Sequence, residues 1–205
     1  MTEQQLLALG LLLATAASGL MVLPVRWRLV GAGLWLAYGG LALVTGATGG
    51  LTTGMVKLLG GSLAVIVLWL AGRLRETAGP RPAGLVGRWE FRAIAFLLVW
   101  LSAWSLGRQD WLVLPGLTAP ARMVGAILLA MGLCQIGLYS HPFRVGVGLL
   151  AALAGFEAIY APLETSLAVA AMMVAVQLGL AITAGYLGTR WISAGRFLPR
   201  LDRRQ

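Results

Sequence analysis

Seven apolar runs, most of them close to twenty residues long, recur along the chain, separated by stretches rich in Gly, Pro and Arg. A helix rises about 1.5 Å per residue, so each run can cross the roughly 30 Å of hydrocarbon in a bilayer. Within hydrocarbon every backbone N–H and C=O must be satisfied inside the segment, which leaves the helix as the form open to such a run. The runs read as residues 5–23, 29–46, 51–72, 91–107, 119–139, 143–161 and 163–189. The expected fold is all-α: an integral membrane protein of about seven transmembrane helices, with residues 1–205 as a single membrane domain.

Composition agrees with this. Of 205 residues, 59% are hydrophobic and 11% charged, and the mean hydropathy is +0.85, more apolar side chain than a soluble domain of this length can hide. The net charge of +9 does not point to nucleic acid, because the arginines punctuate apolar segments and form no dense basic stripe. A single cysteine, Cys134, excludes an internal disulfide and a Cys-ligated metal site. The opening MTEQQ lacks the positive region of a signal peptide, so the first run is expected to be retained as a helix.

Between the runs, residues 73–90 form the longest polar stretch, with Pro80 and Pro82, and read as a loop. Residues 108–118, with Asp110, Trp111 and Pro115, read as an interfacial segment, since Trp favours the headgroup level. Residues 191–205 read as a basic tail. Counting Lys and Arg in alternate loops gives one side thirteen of the sixteen, among them Arg26, Arg28, Arg92 and Arg144; the other side has Arg108 and Arg122. The basic side is expected to be cytoplasmic, with the N-terminus outside a cell (inner) membrane and the C-terminus inside.

Val30-Gly-Ala-Gly-Leu34 opens the second run and Val145-Gly-Val-Gly-Leu149 the sixth, while Trp69-Leu70 before Arg73 echoes Tyr186-Leu187 before Arg190. Two readings stay open. Residues 5–75 and 119–190 are parallel three-helix repeats joined by a linker helix at 91–107, related by an axis along the membrane normal, or small-residue membrane helices resemble one another by chance.

Lys57 is the only lysine, and it falls inside the third run. An ammonium in hydrocarbon costs between about 3 and 15 kcal/mol, so it needs a route to the headgroups or a partner. In a helix starting at Leu51, Lys57 lies about 9 Å down the axis; Glu157, in the outer third of the sixth run, lies at similar depth. Either Lys57 snorkels outward and Glu157 faces a crevice, or the two form a buried pair coupled to an ion path. Glu164 falls near the outer surface at the start of the seventh run. Gln177, midway along it, and Gln135, in the fifth run, read as interhelical hydrogen-bonding glue or as parts of the same polar seam. His141 is the sole histidine, in a turn, and reads as a turn residue; no metal-ligand cluster, nucleotide loop or cofactor motif is present, so neither metal nor cofactor is expected.

These features resemble the seven-helix component E of hydrogenase-4-type complexes. The C-terminal triplet of that family is similar to the K-type subunit of complex I and to the C-type subunit of multisubunit cation/proton antiporters. Thr53-Gly-Met-Val-Lys57-Leu-Leu resembles the lysine-bearing third helix, Ser140-His-Pro-Phe-Arg144-Val-Gly-Val-Gly148 the polar turn before a glycine-containing helix, and Ala161-Pro162-Leu-Glu164 the short outer turn. The resemblance places a family carboxylate near Leu153, four residues before Glu157, and another at or near Gln177, which here is an amide. It implies a subunit that is no enzyme by itself, belongs to an ion-translocating redox assembly, contributes to a mid-membrane polar path and meets antiporter-like subunits, the membrane anchor of a redox arm and lipid. Two alternatives also fit: a stand-alone small-solute carrier built from the two triplets, and an assembly or lipid-binding factor that sets its arginine-rich tail on anionic headgroups.

Overall fold

The computed structural model describes residues 3–23, 26–73, 88–109, 116–163 and 166–197. Seven helices account for nearly all of them: α1 (Glu3–Val22), α2 (Trp27–Gly49), α3 (Leu51–Arg73), α4 (Trp89–Arg108), α5 (Ala119–Leu138), α6 (Pro142–Tyr160) and α7 (Leu167–Phe197). No strand occurs among the described residues. All seven helices are long and apolar enough to cross a membrane, and the protein is a multi-pass helical membrane protein.

Three boundaries differ from the sequence reading by three residues or more. Helix α2 runs through the expected Ala-Thr-Gly-Gly turn to Gly49, and the reversal into α3 is made at Gly50 alone, with φ +94°. Only glycine adopts that backbone without a Cβ clash. Helix α7 starts at Leu167 instead of residue 163, after a turn over 161–163 that contains Pro162. At its other end α7 continues to Phe197, so residues 191–197 are helix and not a separate tail. Most of the expected interfacial segment, from Asp110 to Pro115, lies outside the described residues, as does most of the long loop.

Helices α6 and α2 are the most buried spans, at 67% and 61%, and α4 and α7 the least, at 17% and 22%. The centre is a ring of four: α2 packs on α3, α3 on α7, α7 on α6, and α6 on α2. Helix α1 lies against α2 and α5, and α4 lies outside α5. Like-placed helices of the two triplets thus touch, α1 with α5, α2 with α6 and α3 with α7. The triplets use one seat twice: Trp27 at the start of α2 fills the space over Gly72 at the end of α3, and Phe143 at the start of α6 fills that over Gly188 in α7. The two rings meet each other with centroids 5.5 Å apart.

The arginines counted as loop charges include three that the fold buries: Arg92, Arg122 and Arg144 are only 4%, 7% and 2% exposed. Two of them close the C-terminus of α1. Arg144 Nη1 donates to the Met21 carbonyl at 3.0 Å, the Tyr139 hydroxyl to that of Val22 at 3.1 Å, and Arg92 Nη1 to that of Leu23 at 2.9 Å. The Arg144 guanidinium also lies 4.6 Å over the Tyr139 ring. Arg122 Nε does the same for α4, donating to the Gly107 carbonyl at 2.9 Å. The last carbonyls of a helix have no intrahelical partner and carry the negative end of its dipole, so a buried cation there is matched by geometry and by charge. Arg144→Met is therefore expected to cost about 2 kcal/mol, as for a hydrogen bond to a charged group. Thermal unfolding in detergent should read this as a midpoint lowered by roughly 4–8 °C, while an unchanged midpoint would make the contact incidental.

Candidate functional site

Lys57 is the seventh residue of α3, and one turn further on come Gly60 and Gly61. A Cβ at Gly60 would collide with Val174 of α7, and one at Gly61 with the Tyr38 ring of α2. The two glycines therefore draw α7 and α2 tightly against α3 at the level where Lys57 must find a counter-charge. Helices α3 and α6 do not pack flank to flank. The lysine side chain instead crosses the middle of the four-helix ring, and its Nζ lies 2.7 Å from Glu157 Oε2. Both side chains are buried, 6% and 2% exposed. Lys57 does not snorkel outward. Its ammonium is held inside the protein by a carboxylate on the diagonally opposite helix.

Gln177 of α7 completes the constellation, with Nε2 donating to Glu157 Oε1 at 2.6 Å. Each carboxylate oxygen is thus engaged from a different helix, one by an ammonium and one by an amide. Charge-assisted bonds of this kind are about twice as strong as neutral ones, and burial leaves the pair little screening by bulk solvent. A second ion pair, Arg88 with Glu90 at 3.7 Å, is exposed and of small consequence.

Of the other sequence candidates, Gln135 is buried but elsewhere: its Nε2 donates to the Arg144 carbonyl at 3.2 Å, tying α5 to the start of α6. That is a structural bond, and it lies apart from the ion pair. Glu164 lies outside the described residues. Leu153, where the resemblance places a carboxylate, carries no charge; Glu157 one turn later occupies the ring instead. His141 is the N-cap of α6, its Nδ1 accepting from the Phe143 N–H at 3.4 Å. No group of three metal-ligating side chains occurs among the described residues.

Tyr38 is the member that the sequence reading missed. It is wholly buried at mid-helix in α2, its ring over Gly61, and its hydroxyl is within electrostatic reach of Glu157. A signal was available. Tyrosines of membrane helices favour the headgroup level, and Tyr139 and Tyr160 lie at helix ends. Tyr38 sits eleven residues into an apolar helix, beside Gly39 and Gly40.

All four helices of the ring thus contribute a polar side chain: Tyr38 from α2, Lys57 from α3, Glu157 from α6 and Gln177 from α7. Fold and site together define a polytopic helical membrane protein with a buried, hydrogen-bonded ion pair at the core of its bundle. Comparison of the chain with protein-family models, with curated proteins and with solved structures finds no match.

Proposed function

We propose that this protein is a non-catalytic integral subunit of a complex I-like or group 4 hydrogenase-like membrane assembly, in which it contributes structure and part of a mid-membrane polar path for protons. The observation that carries the reading is the Lys57–Glu157–Gln177 constellation, buried at the core of seven membrane-length helices. Ionisable side chains are expensive inside a membrane bundle, and where they occur paired they mark relays and ion paths. The resemblance of the Lys57 helix, the Ser140–Gly148 turn and the 161–164 turn to hydrogenase-4 component E supplies the kind of assembly. In that setting the N-terminus lies outside and the C-terminus in the cytoplasm, and the partners are antiporter-like subunits, the anchor of a redox arm, and lipid.

The stand-alone carrier is less well supported. A carrier needs a water-accessible chamber between its triplets, whereas here the triplets meet through buried side chains, with Trp27 on Phe143 and α2 directly on α6.

The test is made on the whole assembly in sealed vesicles. Tagged protein is expected to bring down large antiporter-like and redox subunits. Lys57→Met and Glu157→Gln are each expected to lower redox-driven proton uptake by about tenfold or more, the effect of removing a group that takes part in proton transfer. A protein that purifies alone and transports a solute by itself, or full uptake by both variants, would overturn the reading.

A further inference from the structure

The centre of the ring carries more hydrogen-bonding capacity than its side chains satisfy. Tyr38 and Gln177 are both 0% exposed, and neither the Tyr38 hydroxyl nor Gln177 Oε1 has a hydrogen-bond partner among the described residues. The amide is not free to turn over. Its Nε2 is fixed on Glu157 Oε1, and the flipped form would set the amide oxygen against a carboxylate. The Tyr38 hydroxyl is equally constrained, because its ring is seated in the space that Gly61 leaves open. One donor and one acceptor, both orphaned, the acceptor on the amide that binds Glu157 and the donor within electrostatic reach of the same carboxylate, call for a small ligand that can accept and donate.

We propose that the centre of the α2–α3–α6–α7 ring is a water-binding site, in which one water molecule bridges the Tyr38 hydroxyl and Gln177 Oε1 next to the Lys57–Glu157 pair. The ligand is neutral. A metal cation would stand beside the Lys57 ammonium, and an anion beside the Glu157 carboxylate, each like-charge contact in a poorly screened site. A water accepts from the tyrosine and donates to the amide, and immobilising it costs less than leaving two buried polar groups unmet. Tyr38 is then a positioning residue: it touches the ion pair through the water it holds. Only the consequence for transport, that this water hydrates the pair and lets its protons exchange, rests on the proton-path reading.

The experiment is water-edited solid-state NMR on the full chain in lipid, which follows magnetisation from water to the carboxyl carbon of Glu157 and the amide carbon of Gln177. Transfer to both carbons is expected in the wild type. In Tyr38→Phe, which keeps the ring over Gly61, it is expected to fall several-fold with the backbone shifts of α3 and α6 unchanged. Gln177→Leu, read at Glu157, should do the same from the other side. No transfer in the wild type, or undiminished transfer in Tyr38→Phe, would overturn the proposal. The two readings separate cleanly. A dry centre with uptake still lost in Glu157→Gln sinks the water and keeps the path. A hydrated centre with full uptake in Lys57→Met and Glu157→Gln keeps the water and sinks the path.

Discussion

Lys57→Met alone is expected to destabilise the protein by about 3–5 kcal/mol, and Lys57→Met combined with Glu157→Gln to recover most of that loss. The asymmetry follows from burial. With the ammonium gone, Glu157 keeps only the Gln177 amide as a side-chain partner for a buried charge. With the carboxylate gone, the converse single variant strands an ammonium, at comparable cost. With both gone, two roughly isosteric neutral side chains fill the same ring, and the amide at 157 can still pair with Gln177. Chemical unfolding in mixed micelles would measure the cycle, with a coupling energy of a few kcal/mol expected for groups in direct contact. Additive single effects would mean that the two charges do not see each other. The double variant also divides stability from function. If it folds as well as the wild type yet takes up no protons, the pair serves ion movement; if it folds and pumps, the pair serves packing.

The arrangement behind this prediction was partly legible in the sequence. Helix rise set Lys57 and Glu157 at one depth, because rise per residue is fixed and both runs had clear ends. Which helices adjoin is a tertiary property that depth alone does not give. The pair forms not along an α3–α6 seam but across a four-helix ring, and the geometry depends on Gly60 and Gly61 drawing two other helices inward. Seven spans were legible because length and apolarity decide them; their ends moved where a helix overran an uncharged turn, as at Gly49, or continued beyond its apolar run, as in α7. The burial of the arginines was not legible, for a physical reason. A count along the chain assigns Arg92 and Arg144 to a side of the membrane, and nothing local shows that the C-terminus of α1, far away in sequence, will present its carbonyls to them. Tyr38 was overlooked because an aromatic in an apolar run reads as packing until its hydroxyl is placed.

The largest effects after the ion pair are expected at the α5–α6 crossing. Gly132→Ala and Gly155→Ala are each expected to cost about 3 kcal/mol, the upper part of the range for overpacking, and Gly132→Leu to prevent the bundle from closing. A Cβ at Gly132 would meet the backbone at Gly148 and Ala152, and one at Gly155 would meet the backbone at Gly125 and Leu129. Backbone cannot rotate aside as a side chain does, so the helices would have to separate along their length. Small residues are what allow such approach where no hydrophobic drive between helices exists in lipid, and dispersion contacts must do the holding. Gly137 and Gly179 supply the control, since a Cβ at either meets nothing within 4 Å. Alanine there should be neutral or stabilising by up to about 1 kcal/mol through helix propensity. Unfolding of the four alanine variants in one detergent system should separate them into these two pairs. Equal effects at Gly132 and Gly137 would mean that α5 and α6 do not cross as described. Separation of the pairs would also bear on the ring, because the crossing buttresses α6 from behind and so holds Glu157 where Lys57 and Gln177 can both reach it.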